Sequence, residues 1–166
     1  MNRERPSNLS IVTLSERPDL LSTVAAWVYE QWWSHLPQHS PATLAEMLTR
    51  RRASDHVYES FVALIDSVPV GTATVLDHDV DTERLPYLSP WLAAVFVIPE
   101  ARRRGVGKEL VSQAMTFARS KGFETVYLWT TDRRRWYEGL GWELLDEFEK
   151  NGALVSILKW ERTGPG

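Results

Sequence analysis

Residues 95–108, with the sequence VFVIPEARRRGVGK, combine an apolar run, a proline and a glycine-spaced turn. Gly105 and Gly107 let the backbone turn sharply and approach a ligand closely, so that several N–H groups can converge on one anion. From Val106 to about residue 121, apolar residues recur with helical spacing, which predicts a helix with one buried face. Because a helix N-terminus carries unpaired donors and a partial positive charge, the stretch predicts a phosphate-binding turn.

The spacing of this turn differs from that of two common nucleotide-binding loops. A Walker loop requires G-x-x-x-x-G-K-[ST], which is absent, and the dinucleotide motif requires a third glycine where this chain has Leu110. The pattern R-x-x-G-x-G, after a strand ending in V-x-P-E, instead resembles the acyl-CoA signature of the GNAT family of N-acetyltransferases. The segment WYEGLGW at 136–142 follows in the family's order, and the resemblance covers about residues 8–160.

Size and composition restrict the class of protein. A chain of 166 residues with 43% hydrophobic residues predicts one domain with a sizeable core. The absence of cysteine excludes disulfides, thiolate metal ligands and cysteine nucleophiles, and the four histidines lack H-E-x-x-H spacing, so we expect no metal site. The longest apolar run, 91–98, is too short to cross a bilayer, and the N-terminus lacks a signal-peptide stretch. We therefore expect a soluble cytoplasmic protein without membrane partners, monomeric or homodimeric.

Charge is distributed unevenly. The net charge of −3 argues against nucleic-acid binding, yet three runs of arginine occur at 50–52, 102–104 and 133–135. A nucleic-acid interface would need all three runs on one face with exposed aromatic residues between them. The second and third runs flank the glycine turn and the WYEGLGW segment, where a ligand with several phosphates would require positive charge.

The predicted elements alternate between strands and helices. Strands are expected at about 8–14, 59–66, 70–77, 91–98, 125–130, 142–149 and 154–160, and helices at about 18–33, 41–52, 106–121 and 136–140. Ser40 and Asp132 are the expected N-caps, the hairpins turn at 67–69 and at Asn151-Gly152, and a long loop covers 78–90. The resemblance implies the GNAT acyl-CoA N-acyltransferase fold, of α/β (α+β) class. This is a mixed central sheet of about seven strands with flanking helices, in which the fourth and fifth strands splay apart.

In that family the pantetheine arm of acetyl-CoA lies between the splayed strands. Carried over position by position, the resemblance implies acetyl-CoA as cofactor, with CoA as product. The expected cofactor-binding residues are Val95, Phe96, Val97, Arg102, Arg103, Arg104, Gly105, Val106, Gly107, Lys108, Asp132 and Trp136. The resemblance also assigns a catalytic role to Tyr137, whose place in WYEGLGW matches the tyrosine that protonates the departing sulfur. A phenol with a pKa near 10 suits a thiolate of similar basicity.

The general base is not assigned by the resemblance. Many family members carry a glutamate on the fourth or fifth strand, but the matching positions here are Trp91 and Trp129, which cannot accept a proton. The candidate bases by order along the chain are Asp77, His78, Asp79 and Glu30. Proton loss through ordered water would make all of them dispensable.

The acceptor is expected to meet the first two helices and the long loop. Trp32, Trp33, Tyr87 and Trp91 are the expected walls of an apolar cleft, and the acidic rim at 77–79 favours a cationic amine. The sequence therefore predicts transfer of an acetyl group from acetyl-CoA to a primary amine of a small molecule or a peptide N-terminus, by direct attack in a ternary complex. The alternative is a catalytically weak CoA-binding sensor or interaction domain.

Overall fold

The computed structural model describes residues 6–79 and 84–161, which form one seven-stranded sheet with helices on both faces. In chain order the elements are β1 (Leu9–Thr13), α1 (Leu21–Val28), α2 (Pro41–Ser54), β2 (Tyr58–Ile65), β3 (Val68–Leu76), β4 (Trp91–Val97), α3 (Val106–Ser120), β5 (Thr125–Thr130), α4 (Arg134–Glu138), β6 (Glu143–Lys150) and β7 (Ala153–Glu161). This order confirms the predicted α/β architecture. Across 6–79 and 84–161, none of the helices combines the length and apolar character that a membrane span needs.

The sheet is mixed, with strand order β1-β2-β3-β4-β5-β7-β6. All neighbouring strands are antiparallel except β4 and β5, which run parallel and are joined through α3. The β4–β5 ladder consists of one residue pair, Trp91 with Tyr127, after which the strands separate. The predicted splayed pair is therefore present, and it divides the sheet into two antiparallel halves.

Two apolar clusters pack against opposite faces of the sheet. On β2, Phe61 and Ala63 belong to the cluster that contains α3, whereas Val62 and Leu64 belong to the cluster formed by α1 and α2. This alternation follows from the two-residue period of a strand, and it explains why β2 reads as a continuous apolar run. The face that α3 buries carries Val106, Leu110, Val111, Ala114, Met115 and Ala118, which confirms the predicted amphipathic helix.

The first predicted helix has the expected extent but not a uniform geometry. A 3-10 turn at Pro18–Leu20 leads into α1, and a five-residue π-helical turn, Tyr29–Trp33, ends the segment. Such turns are frequent at functional sites because they change the direction of the side chains that follow. The next helix begins as predicted. The Ser40 hydroxyl accepts from the Thr43 N–H, and the Thr43 hydroxyl accepts from the Ser40 N–H, which together form a capping box.

Two local predictions were wrong. The β2–β3 hairpin turns at Asp66 and Ser67, with φ of 51° and 66°, rather than at 67–69, because a two-residue turn with positive φ matches the twist of the strands. Asp132 does not cap α4, which runs from Arg134 to Glu138 rather than over 136–140. Instead the Thr130 hydroxyl accepts from the N–H groups of Asp132 and Arg133. The Asn151-Gly152 turn is confirmed.

Candidate active site

The C-terminal half of β4 has a backbone edge that no neighbouring strand covers. Ile98 N–H donates to the carbonyl of Val70 on β3, so by strand alternation the N–H and C=O of Val97 point the other way, toward β5, where the carbonyl accepts from Arg102 Nε. Because β5 has already diverged, that side opens into a cavity lined by Val95, Phe96 and Val97. An extended ligand with amide groups could pair with this edge as an additional strand does.

A bulge in β4 contributes to the divergence. Ala93 lies opposite Thr74 and Phe96 opposite Thr72, so Ala94 and Val95 together face one residue of β3. Ala94 takes a φ of 54°, in the left-handed region that side chains rarely adopt. A bulge of this kind bends its strand and increases the local twist. The bend lies in the stretch of β4 that no longer pairs with β5.

The turn between β4 and α3 leaves backbone donors and exposed cations at the N-terminus of α3. Arg103 and Gly105 both have positive φ, 62° and 78°, and Gly105 caps α3 without a side-chain acceptor. The first N–H groups of α3 have no intrahelical partner, so they remain for a ligand at this end of the helix. Arg104 and Lys108 are exposed beside the turn. Arg102 differs, because its Nε donates to the Val97 carbonyl at 2.9 Å and its guanidinium lies over the Phe96 ring.

Gly107 lets an aromatic side chain approach the turn. A Cβ at this position would lie 3.3 Å from the Trp136 ring, a tight contact that would require the ring to move by a few tenths of an ångström. Trp136 is 39% exposed and lines the cavity next to Gly107. The two glycines therefore act differently: Gly105 provides the left-handed turn and Gly107 provides space for Trp136.

One cavity of about 1070 Å³ connects these parts. One half is formed by the β4 edge, the glycine turn, the end of β5 and α4, and the other by the π-turn, α2 and the facing residues of β2 and β3. The residues present fit acetyl-CoA: an anion-binding turn for the diphosphate lies at one end, an open strand edge follows for the amide-bearing arm, and a separate chamber is left for a second substrate.

Tyr137 lies in this cavity between two tryptophans. Its ring centroid is 4.8 Å from that of Trp136 and 5.9 Å from that of Trp142, and the residue is 8% exposed. Burial raises the pKa of the phenol well above its ordinary value, and the nearby Arg133 only partly opposes this effect. The hydroxyl therefore keeps its proton at neutral pH and can act as a donor.

The four candidate bases are not brought together. Asp77 accepts from the backbone N–H groups of His56 and Val57, at 2.7 and 2.9 Å, which assigns it to joining α2 with β2. His78 and Glu30 are exposed outside the cavity lining, whereas Asp79 lines the cavity. Of the two tryptophans at the expected base positions, Trp129 lines the cavity, and its buried Nε1 has no hydrogen-bond partner among the described residues.

The expected cleft residues separate into two pairs. Trp32 and Trp33 line the cavity, as the sequence predicts. Tyr87 is 96% exposed and does not contribute to the lining. Trp91 is fully buried, its Nε1 donates to the Leu88 carbonyl at 2.7 Å, and its ring packs on Tyr127, so it forms part of the core rather than the cleft.

A hydroxyl network in the acceptor half was not expected from the sequence. Tyr58 and Thr74 line the cavity, and Ser60 joins them, with oxygen separations of 3.0 and 2.8 Å. Burial raises the pKa of Tyr58, although its hydrogen bond with Ser60 opposes the shift. The sequence does carry a signal for this network. Tyr58 and Ser60 occupy alternate positions of the largely apolar β2, which places their two hydroxyls on one face of the sheet.

The arginines of the third run are largely engaged locally. Arg134 pairs with Glu138 at 2.5 Å and with Glu147 at 2.7 Å. Arg133 and Asp132, at 3.9 Å from one another, both line the cavity near α4 with most of their side chains exposed. Arg133 is thus the member of this run that lines the main cavity, at its cofactor half.

Comparison with known proteins gives a consistent assignment. The profile of the acetyltransferase (GNAT) family matches residues 24–150. Among curated proteins, N-alpha-acetyltransferase 80 of Mus musculus is 29% identical over 132 residues. That match covers 77% of this chain but 39% of the mouse protein, so the chain spans well under half the length of this relative.

Solved structures show the same fold. An aminoglycoside 6'-N-acetyltransferase complexed with coenzyme A superposes with a TM-score of 0.73 at 14% identity, covering 95% of this chain and 99% of the other. A putative acetyltransferase from Salmonella typhimurium, solved with its cofactor acetyl-CoA, gives a TM-score of 0.69 at 15% identity, covering 93% and 94%. The family profile covers most of the chain, and with the fold and the site geometry it shows that this protein belongs to the GNAT family of acetyltransferases.

Proposed function

We propose that this protein transfers the acetyl group of acetyl-CoA to a primary amine, by direct attack while both substrates are bound. The observation that carries this proposal is the continuous cavity that runs from the glycine turn, along the open edge of β4, to Tyr137 and the acceptor half. When bound, acetyl-CoA supplies the activated thioester. Holding two reactants in one cavity provides a large part of the acceleration of such a reaction.

Each part of the cavity has a role on this proposal. The N–H groups at Gly105–Lys108 bind the diphosphate, and the edge at Val95–Val97 orients the arm along β4. Tyr137 donates a proton to the departing sulfur. Trp129 and Trp91 cannot accept a proton, and Asp77 is occupied by backbone donors, so ordered water or Asp79 takes the proton of the amine.

The acceptor is a small-molecule amine or a peptide N-terminus. The relatives support both, because one is named an N-alpha-acetyltransferase and another an aminoglycoside acetyltransferase. The location in the cytoplasm, the single domain, and the monomeric or homodimeric state remain proposals made from the sequence.

The proposal is tested in two steps. Calorimetric titration measures binding of acetyl-CoA and CoA, and an assay of CoA release is then run over a panel of amines. We expect binding of both nucleotides and amine-dependent release of CoA. No binding at high micromolar concentration would remove the cofactor assignment.

The second candidate function is a CoA-binding sensor without efficient catalysis. Trp91 and Trp129 at the positions expected for a base favour it. Binding of acetyl-CoA without turnover of any amine in the panel would support the sensor, whereas rapid turnover of one amine would exclude it.

A further inference from the structure

Large apolar side chains wall the acceptor half of the cavity and remain partly exposed there. The π-turn supplies two of them, the segment after it supplies a third, and α2 supplies two adjacent ones. We call this set the apolar wall: Trp32, Trp33, Leu36, Met47 and Leu48. Incompletely buried apolar surface inside a cavity is typical of a binding site for an apolar group.

The apolar wall and the bulge of β4 line the same cavity. Trp32, Trp33, Met47 and Leu48 pack against the same apolar cluster as Ala94, the residue at the bulge. The side chain at the bulge is a single methyl group, the smallest that a chiral residue can place there. A group attached close to the acceptor nitrogen would therefore contact the wall when the nitrogen faces β4.

Most polar groups in this half are already satisfied. Arg51 binds Asp55 and the His78 carbonyl, and the hydroxyls of Tyr58 and Thr74 are both bonded to Ser60. Among the described residues that line the acceptor half, Asp79 carries the one carboxylate, and it has an interaction of its own.

We infer, resting on the proposed function, that the acceptor is a primary amine with a bulky apolar group next to its nitrogen, and that this group binds the apolar wall. Two sources share this chemistry: a peptide N-terminus that begins with a large apolar residue, and a small arylalkyl amine. Polyamines and aminoglycosides do not share this chemistry, because they lack a bulky apolar group next to the nitrogen. The acidic rim expected from the sequence is reduced, since Asp77 does not line the cavity.

Wild-type kcat/KM over a matched series of acceptors tests the inference. Short peptide amides that differ only in the first residue, Phe or Leu against Ser or Lys, are compared with phenethylamine and spermidine. We expect Phe and Leu to exceed Ser and Lys by roughly 10- to 100-fold, the range for filling an apolar pocket. Comparing kcat/KM for the Phe peptide with that for phenethylamine, which lacks the amide, distinguishes a peptide N-terminus from a small arylalkyl amine.

A variant pair locates the preference on the wall. Met47→Ser should lower kcat/KM for the Phe peptide, mainly by raising KM, and by more than it lowers kcat/KM for the Ser peptide, while acetyl-CoA affinity is retained because Met47 lies in the acceptor half. Leu145→Ser is the matched control, because Leu145 is 43% exposed on β6 and does not line the cavity. Equal effects of both variants would contradict the assignment.

The possible results distinguish a wrong acceptor class from an absence of acetyl transfer. A flat preference among first residues, or spermidine as the best acceptor, would overturn this inference and leave acetyl transfer intact. No turnover of any amine in the series would overturn the proposed function as well.

Discussion

At the scale of single residues, Tyr137 carries the chemical proposal. Tyr137→Phe keeps the ring between Trp136 and Trp142 and removes only the hydroxyl. We expect acetyl-CoA affinity to be unchanged and kcat to fall by roughly 100- to 10,000-fold, the range for loss of a general acid. Calorimetry and steady-state kinetics on the same preparation measure both. Turnover at the wild-type rate would mean that the proton comes from another source.

The raised pKa of Tyr137 gives a second, independent test. Because burial favours the neutral phenol, the group stays protonated as the pH rises through the ordinary tyrosine pKa. We therefore expect no fall in kcat between about pH 9 and pH 11 from loss of this proton. A pH-rate profile of the wild type, with the Tyr137→Phe profile as reference, checks it. A falling limb in this range that the variant lacks would show an accessible phenol of ordinary acidity.

Trp91 is fully buried and Trp129 partly buried, and the two differ in the hydrogen bonding of their buried Nε1 groups. Trp91→Phe and Trp129→Phe remove the same ring volume, but the Trp91 N–H has the Leu88 carbonyl as acceptor, whereas that of Trp129 has no partner among the described residues. An unpaired buried donor costs about 1–3 kcal/mol, so Trp91→Phe should lower the free energy of unfolding by about that much more than Trp129→Phe. Urea denaturation measures the difference. Equal losses would indicate that a water molecule satisfies Trp129.

At the scale of elements, the contribution of the turn before α3 to CoA binding can be measured separately from its contribution to folding stability. Gly105 and Gly122 both have positive φ, 78° and 91°, with nothing within 4 Å of an added Cβ. Gly105→Ala and Gly122→Ala should therefore each cost about 1–2 kcal/mol in left-handed strain. Only Gly105→Ala should also weaken CoA binding, by roughly ten-fold or about 1.4 kcal/mol. Loss of CoA affinity in both variants would show that backbone strain causes the loss, rather than damage to the glycine turn.

Elements defined by short-range signals could be predicted from the sequence. The Ser40 cap, the Asn151-Gly152 turn and the apolar period of α3 are local, and all three are confirmed. The π-turn at Tyr29–Trp33 and the Ala94 bulge could not be predicted, because both depend on how distant segments pack. The Asp132 cap was wrong because the Thr130 hydroxyl holds the N–H groups of Asp132 and Arg133 in a turn, and α4 then begins one residue later than an Asp132 cap would require, with Arg133 at the N-cap position.

At the scale of the whole molecule, the two halves of the cavity differ in how well the sequence predicts them. The cofactor half is continuous in sequence from β4 into α3, so a motif identifies it. The acceptor half combines α1, α2, β2 and β3, and the sequence pattern does not show which side chains meet there. Tyr87 and Trp91 were therefore expected in the cleft but lie outside it, while Met47 and Tyr58 were not expected and line it.

The central claim, acetyl transfer within one cavity, is tested most directly by product stoichiometry. Purified protein, acetyl-CoA and a Phe-first peptide amide are incubated, and free thiol and acetylated peptide are quantified together by absorbance and mass spectrometry. We expect free thiol and acetylated peptide to form in equal amounts. Tyr137→Phe should lower the rate of this reaction without weakening CoA binding. Thiol release that does not depend on any amine, or tight CoA binding with no acetylated product from any amine, would contradict it.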